Sequence, residues 1–391
     1  MKIAIVHDDF MQWGGAERLV AALAGLFPDA PVYTSMLDEE VVRKSGIEQS
    51  RFVTNGLNRV PFKKKLNKVV FPLYPVFFEG FDFSSFDLVI SSSTRFAHGV
   101  ITKPTTQHIA YINSPFRGFW EPDLYFGRTR KGRVLKTVLL PILSYLRGWD
   151  FVAGQRPDVL IGNSSTAQAR ILKYYKREAE VVYPFVDLER FEQEEKPSFD
   201  VPGEFYLVVS RLVEWKKIDL AVAAFNRMGK NLIVIGNGPQ KSHLISLAGS
   251  TVQVPSAFIN DAQVTYLLRR ARALIHPQKE DFGMTIVEAN ACGVPVIAYK
   301  KGGALDTIIE DETGLFFNEQ TVEALVAAVK RFENETQTYA SDKLKQHATR
   351  FSKKVFLQKW EELRDNSLAN SLRIPQPKRN PFFINPFFIS R

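Results

Sequence analysis

Residues 273–299 read ALIHPQKEDFGMTIVEANACGVPVIAY. Ala273–His276 is a short apolar run, the length of a buried strand. A loop with two acids and a glycine follows, through Glu280, Asp281 and Gly283. Small and apolar residues then predict a helix over Thr285–Ala291. Gly293-Val294-Pro295 stops it, because glycine accepts the left-handed backbone past a helix end and proline does not continue a helix. Pro295–Tyr299 is a second strand. Two short buried strands joined through a helix argue for a parallel pair in one sheet.

The same alternation extends in both directions. Downstream, Thr321–Glu333 and Lys353–Asp365 are amphipathic helices. Upstream, Phe205–Ser210 and Asn231–Ile235 are strands, and Ile218–Arg227 and Asp261–Arg272 are helices. The segment EQEEKPSFDVPGE, Glu192–Glu204, is acidic, holds two prolines and has little apolar pattern, which marks a linker. Before it the alternation begins again from Lys2–Val6, a β-branched strand leading to Gly14-Gly15 and a helix over Ala16–Leu26. Pro31–Leu37, Phe86–Ser91, Gln107–Ile112 and Val159–Gly162 are further strands, the last entering the N-cap cluster Asn163-Ser164-Ser165. The fold class is therefore α/β, with two parallel-sheet domains in tandem. The expected limits are 1–195 for the first domain and 203–352 for the second. A helix at 353–372 is expected to cross back to the first, and 373–391 to be a mobile tail.

Composition narrows the rest. A chain of 391 residues, 45% apolar and 24% charged, has material for two or three full cores. A single cysteine, Cys292, excludes a disulfide framework and a multi-cysteine metal site. The start, MKIAIVHDD, reaches acids too soon for a signal peptide, and no apolar stretch approaches the ~20 residues that span a bilayer. A cytoplasmic protein, with or without attachment at the inner membrane surface, is expected. The net charge of +9 is concentrated: residues 51–147 hold 15 Lys or Arg against 5 Asp or Glu. In residues 51–78 six cations meet no acid beside VVFPLYPVFF, and the tail adds four cations and NPFFINPFFIS. Such mixtures suit an anionic membrane surface, with a solvated basic face as the plainer reading. No nucleic-acid reader motif accompanies the charge.

Four places could carry chemistry. Gly14-Gly15, between strand and helix, could present backbone N–H groups to a phosphate, or be a tight turn. Gly236-x-Gly238 has the same ambiguity and leans structural. Arg211 and Lys216 follow the first strand of the second domain, where ligands of open α/β sheets gather, and could clamp a diphosphate. Glu280 falls in the loop of the opening stretch and Glu288 in the first turn of its helix. Glu288 could accept hydrogen bonds from ribose hydroxyls, and the N–H groups around Gly283–Thr285 could donate to a sugar or phosphate.

These strings, with NSSTAQARILKYY (163–175), VVYPFVDLERF (181–191) and KKGGALDTI (300–308), resemble the retaining glycosyltransferases of family 4 over nearly the whole of residues 1–365. Within the family the chain is most similar to the mannosyltransferase-like branch that builds O-antigen and related surface glycans. The resemblance implies the GT-B fold, two Rossmann-like domains facing across a cleft, with the acceptor on the first and the nucleotide-sugar on the second. It implies catalytic roles for Arg211, Lys216 and Glu280, the first two on the diphosphate and Glu280 on the sugar hydroxyls. Donor binding would fall to Gly14, Gly15, Phe282, Gly283, Met284, Thr285 and Glu288, and acceptor binding to Asn113 and Arg117. No metal and no cofactor are expected. The implied reaction moves a hexose, mannose from GDP-mannose, to a lipid-linked or polysaccharide acceptor with retention of configuration. The alternatives are an inactive GT-B binding or scaffold protein and a family member using a UDP-sugar.

Two departures from the family pattern stand out. Asn113 occupies the position where a His-x-Pro-x-Arg motif would place its histidine, and asparagine can hydrogen-bond a hydroxyl but not shuttle a proton. Lys217 replaces a usual glycine.

Overall fold

A computed structural model describes residues 1–59, 70–123, 130–334 and 339–371. The first sheet contains β1 (Ile3–His7), β2 (Val32–Thr34), β3 (Phe52–Thr54), β4 (Leu88–Ser93), β5 (Gln107–Ile112), β6 (Val159–Gly162) and β7 (Glu180–Val181). The second contains β8 (Tyr206–Val209), β9 (Leu232–Ile235), β10 (Val252–Gln253), β11 (Leu274–His276), β12 (Val296–Tyr299) and β13 (Gly314–Phe317). Their orders are β3-β2-β1-β4-β5-β6-β7 and β10-β9-β8-β11-β12-β13, with neighbouring strands parallel. Each order reverses beside its first strand, between β1 and β4 and between β8 and β11. A crevice opens at the carboxyl ends of the strands at such a reversal.

The period of two along a strand supplies both faces of each sheet. Ile5 and Ile90 pack beneath the helix Gly15–Leu26, whereas Ala4, Val6 and Val89 face the opposite cluster. In the second sheet Leu207 faces one cluster and Tyr206 and Val208 the other. Strands buried on both faces read as continuous apolar runs, which is why they were visible in the sequence. The runs overshoot the strands, however. Pro31–Leu37 shortens to Val32–Thr34, and Phe10 and Leu37 pair beyond it only through an isolated bridge.

The chain passes between the halves twice. Val186 donates its N–H to the carbonyl of Phe351 (2.8 Å) and forms a bridge with Ser352, so the two crossings lie side by side. The terminal helix Lys353–Ser371 then inserts Phe356, Trp360 and Leu363 among Ile5, Leu19, Ile109 and Tyr111 of the first half. The acidic segment after Phe191 is not loose: Glu194 pairs with Arg270, and Glu195 accepts from Asn260 and Gln263. Gly236 and Gly238 are structural. They take φ of 151° and 155°, and a Cβ on either would strike the backbone of Ser210 or Leu212.

Alternation gives no notice of the helix Arg130–Ala153, which carries Pro141 in its interior. Residues 60–69 and 372–391, which hold much of the basic stretch and the Phe-rich tail expected to meet lipid, lie outside the described residues. In the described part of 51–78, Tyr74 and Phe78 are fully buried and Phe71 packs beside them. Arg51 is spent on the carbonyls of Ala24, Phe27 and Ala30. Those aromatics serve the core, which leaves Val53, Leu73 and Val76 as the exposed large apolar residues of this segment's described part.

Lys217 sits just after the short turn Glu214–Lys216 with φ 55° and ψ 35°, a left-handed conformation. A Cβ there costs about 1 kcal/mol that glycine avoids. Lys217→Gly should therefore raise stability by about 1 kcal/mol in urea unfolding, with an unchanged m-value.

Candidate functional site

The candidate residues converge on the two crevices. Lys216 ends a short turn after β8 and is 6% exposed. Its ammonium contacts Glu280 Oε1, in the loop after β11. Glu280 also accepts from Gln278 Nε2 (2.6 Å), and His276 Nε2 lies 3.9 Å away. Burial alone would raise the Glu280 carboxyl, but Lys216, helped by His276 and Gln278, carries it down to about 2. Burial takes His276 down to about 4, so it is neutral at pH 7. Burial also pulls Lys216 below an ordinary lysine, with Glu280 opposing. The result is a fixed carboxylate that accepts hydrogen bonds but cannot act as a general acid near pH 7. Arg211 stands exposed at the end of β8, close enough to Lys216 to disfavour its charge.

The glycine loop after Glu280 is shaped by packing. The N–H of Gly303 donates to the carbonyl of Glu280 (2.9 Å), and a Cβ on Gly303 would strike the backbone of Phe282. Phe282 is buried against Tyr183 and Phe351. Gly283 adopts φ 90° and caps the helix Met284–Ala291, with Met284 and Thr285 half-buried in its first turn. The first N–H groups of a helix have no partner within it, so this end is a donor cluster. Glu288 is the fifth residue of that helix. It thus lies in the second turn rather than the first, because the helix begins at Met284, directly after the left-handed Gly283.

Burial raises Glu288 above an ordinary glutamate, with Arg190 and Arg18 opposing. Arg190 Nη1 lies 3.5 Å from Glu288 Oε1, and Arg190 Nε lies 3.1 Å from Asp261 Oδ2. Arg18 Nη2 reaches the same Asp261 oxygen at 3.8 Å. Arg18 belongs to the helix that begins at Gly15 in the first half. A chain of charges, Arg18–Asp261–Arg190–Glu288, therefore ties the glycine turn of one half to the buried glutamate of the other. A second tie runs from Arg117 Nη2 to Asp281 Oδ1 (2.8 Å), with the Arg117 guanidinium 5.4 Å from the Trp215 ring. It joins the first half to the residues flanking Glu280 and Lys216. A third has Asp306 accepting from Ser165 N (2.9 Å) and Oγ (2.6 Å) at a helix start.

In the first half, Gly14 donates its N–H to Glu17 Oε2 (2.8 Å), and the other Glu17 oxygen lies 3.6 Å from His7 Nε2. Burial would lower His7, but Glu17 outweighs it and the imidazole is shifted up. A Cβ on Gly15 would meet no atom within 4 Å, so the protein's own packing gives no reason for glycine there. Asp8, fully buried, accepts from the backbone of Thr94, Arg95, Phe96 and Ala97 and holds the turn after β4. Asn113, just past β5, donates N–H (2.9 Å) and Nδ2 (3.3 Å) to the Ser93 carbonyl at the end of β4. His98 and His108 are buried and hydrogen-bonded to Ser93 and Ser91. Trp120 stacks on Tyr174 at 4.6 Å and donates to buried Asp150.

Arg18, Arg190, Asp261 and Asp281 carry the contacts between the halves and were given no role by the sequence. The one signal available was that Arg18 closes the string GGAER (14–18) that begins at Gly14-Gly15, and that Arg190 lies inside VVYPFVDLERF.

Comparison with known proteins gives the class. Residues 189–353 match the family described as glycosyl transferases group 1. A 180-residue stretch is 31% identical to an exopolysaccharide phosphotransferase of Streptomyces coelicolor, over 43% of this chain but only 19% of that protein. The chain is 25% identical to alpha-1,3/1,6-mannosyltransferase ALG2 of Dictyostelium discoideum, over 86% of this chain and 90% of the other. Anabaena HepE in complex with UDP superposes with a TM-score of 0.66 at 19% identity, over 94% of this chain and 100% of that one. The molecule is a GT-B protein of two Rossmann-like halves. Its second half carries the match to the group 1 glycosyl transferases, in keeping with the family 4 resemblance of the sequence.

The Lys216–Glu280 pair should be visible in acid. Glu280 is depressed from 4.5 to about 2, so its contribution is complete above pH 4.5 and fades as pH falls toward 2. Glu280→Gln strands a buried ammonium and should cost about 2 kcal/mol at pH 7, somewhat less than a fully buried pair because Glu280 keeps some exposure. Urea titrations should show the two proteins converging between pH 4.5 and 2. A pH-independent gap would refute the pairing.

Proposed function

We propose that this chain is a retaining hexosyltransferase that moves mannose from GDP-mannose to a lipid-linked or polysaccharide acceptor without a metal. The carrying observation is the juxtaposition at the two strand-order reversals. Lys216 and Glu280 of the second half are held by Arg117–Asp281 against the first half, whose Gly15 turn is joined to Glu288 through Arg18. Gly15 is exposed, with no protein atom within 4 Å of where a Cβ would sit, so the backbone there is open to approach. Mannose as the sugar draws on the family resemblance and on the mannosyltransferase relative.

In this reading Arg211 and Lys216 hold the diphosphate and stabilise its charge as it leaves. The N–H groups from Gly283 to Thr285 donate to sugar and phosphate, and Glu280, ionised throughout, accepts from sugar hydroxyls. Glu288 accepts from the ribose, a role that suits a carboxylate buried at a cost to itself. The acceptor hydroxyl attacks the anomeric carbon on the face the diphosphate leaves, and the departing diphosphate takes its proton. The C–O bond to the diphosphate breaks as the bond to the acceptor oxygen forms, and configuration is retained. Asn113, which cannot shuttle a proton, fits a mechanism in which the leaving group is the base. The protein supplies positioning and charge stabilisation.

Lys216→Ala should lower transfer by about 10²–10³, the usual cost of a lost charge contact to the leaving group. Glu288→Ala should raise KM for the donor more than it lowers kcat, while circular dichroism shows both variants folded. A panel of GDP- and UDP-sugars, read by thermal shift and by product anomeric configuration in NMR, checks donor and stereochemistry together. Stabilisation by UDP-sugars alone would replace the donor assignment. Stabilisation by none, with normal folding, would favour a binding or scaffold protein.

A further inference from the structure

We propose that His7 and Glu17 form a proton-dependent clamp that positions the Gly14-Gly15 turn for the donor diphosphate. The clamp rests on the transfer reading of that turn and adds the two side chains that set its backbone. His7 closes β1 and is 1% exposed. Glu17 lies in the first turn of the helix Gly15–Leu26 and is 5% exposed. A glutamate so deeply buried needs partners, and both of its oxygens face one. Oε2 accepts the N–H of Gly14 (2.8 Å), and Oε1 faces His7 Nε2 at 3.6 Å. The two glycines therefore differ in purpose. A Cβ on Gly14 would come within 3.1 Å of Glu17 Oε2, so the approach of that carboxylate keeps the position small. A Cβ on Gly15 would meet nothing within 4 Å. Gly14 is held by the protein, and Gly15 is presented outward.

The proton on His7 decides whether the clamp holds. Nδ1 lies 2.9 Å from the carbonyl oxygen of Ser92 in β4. A carbonyl only accepts, so Nδ1 carries a hydrogen. In a neutral ring Nε2 would then turn a bare lone pair toward a carboxylate oxygen. In the imidazolium both nitrogens donate, and Glu17 is drawn in. Two carboxylates act on the ring: Glu17 from the helix, and Asp8, next in the chain. The oxygens of Asp8 are themselves taken by the backbone of Thr94, Arg95, Phe96 and Ala97. Phe10 meets the ring edge to face, with centroids 5.2 Å apart. Burial opposes the charge, but Glu17 and Asp8 overcome it and raise His7 above its ordinary 6.5. The clamp is complete below pH 6.5 and is lost as pH rises through the raised value. Loss of the proton also leaves the Glu17 charge uncompensated beside a turn that faces an anion, and like charges repel. Both effects weaken donor binding as pH rises.

Two measurements on the full chain test the clamp. The first is the His7 titration, followed by NMR of protein labelled at the histidine ring nitrogens and assigned with His7→Gln. Burial sends His108 to about 3 and His276 to about 4, so neither interferes near neutrality. Glu17→Gln keeps an acceptor for Gly14 and removes the charge, so it should lower the His7 midpoint by about one pH unit. The second is the affinity for GDP-mannose and UDP-glucose by calorimetry, since the diphosphate of a nucleotide-sugar has no proton to gain near neutrality. Parent affinity should fall about tenfold between about pH 5.5 and about pH 8.5, and Glu17→Gln should flatten that profile. Glu17→Ala, which also removes the acceptor, should bind more weakly at every pH and raise KM for the donor more than it lowers kcat. A merely structural role would leave the pH profile in place. A folded Glu17→Gln that keeps the parent's pH dependence, or that leaves the His7 titration unmoved, overturns the proposal. Failure of the transfer reading looks different: neither nucleotide-sugar binds the parent at any pH, while Glu17→Gln still lowers the His7 midpoint. That result upholds the clamp and overturns the donor assignment.

Discussion

A lysine buried against a glutamate is the constraint around which the site is arranged. Lys216 follows β8 and Glu280 follows β11, neighbouring strands in the second sheet. Neither charge could stay in so dry a place alone, so each fixes the other. The pair holds the loop after β11, which in turn sets Gly283 and the start of the helix Met284–Ala291. It depends on parallel strands ending side by side, and so on the strand order of the whole sheet. The same geometry recurs in the first half, where β1 and β4 end together and Asp8 binds the turn that follows β4.

The two halves are then held at their chemically interesting edges. Arg117–Asp281 and Arg18–Asp261–Arg190–Glu288 cross the boundary beside the candidate residues. These are charged, partly exposed contacts rather than an apolar seam. Contacts of this kind are individually weak and can be remade, unlike the packing of Trp360, which anchors the terminal helix in the other half's core. A two-half protein that must admit and release a ligand is served by that division. Apolar packing of the terminal helix sets which half is covered, and ion pairs set the state of the boundary.

Glu288 and Glu280 illustrate how environment separates like residues. Both are largely buried glutamates near one loop, yet one is pushed up and the other held down to about 2. Glu280 meets an ammonium in contact, whereas Glu288 meets a guanidinium at 3.5 Å that it shares with Asp261. The sequence, in which they are a simple Glu-x7-Glu, cannot show that difference.

What the sequence determined by itself was local and periodic. Short apolar runs between helices announced parallel strands, because strands covered on both faces need no polar alternation. Glycines and prolines marked the loop after β11, since Gly283 at φ 90° and Gly293 at φ 76° tolerate few other residues. Glu280 and Glu288 could be picked out by their offsets from those punctuation marks, and Lys216 by the strand it follows. What only the tertiary structure decided was long-range. The partners of Arg18 and Arg117 lie in the other half, and those of Arg190 lie far along the chain. The Phe71–Phe78 segment is mostly core rather than lipid surface because the first sheet has a face to fill. The helix Arg130–Ala153, with a proline inside and apolar residues on its outer face, has no pattern that distinguishes buried from exposed until its neighbours are in place. Burial is a property of the assembled chain, and a sequence shows only which residues could bear it.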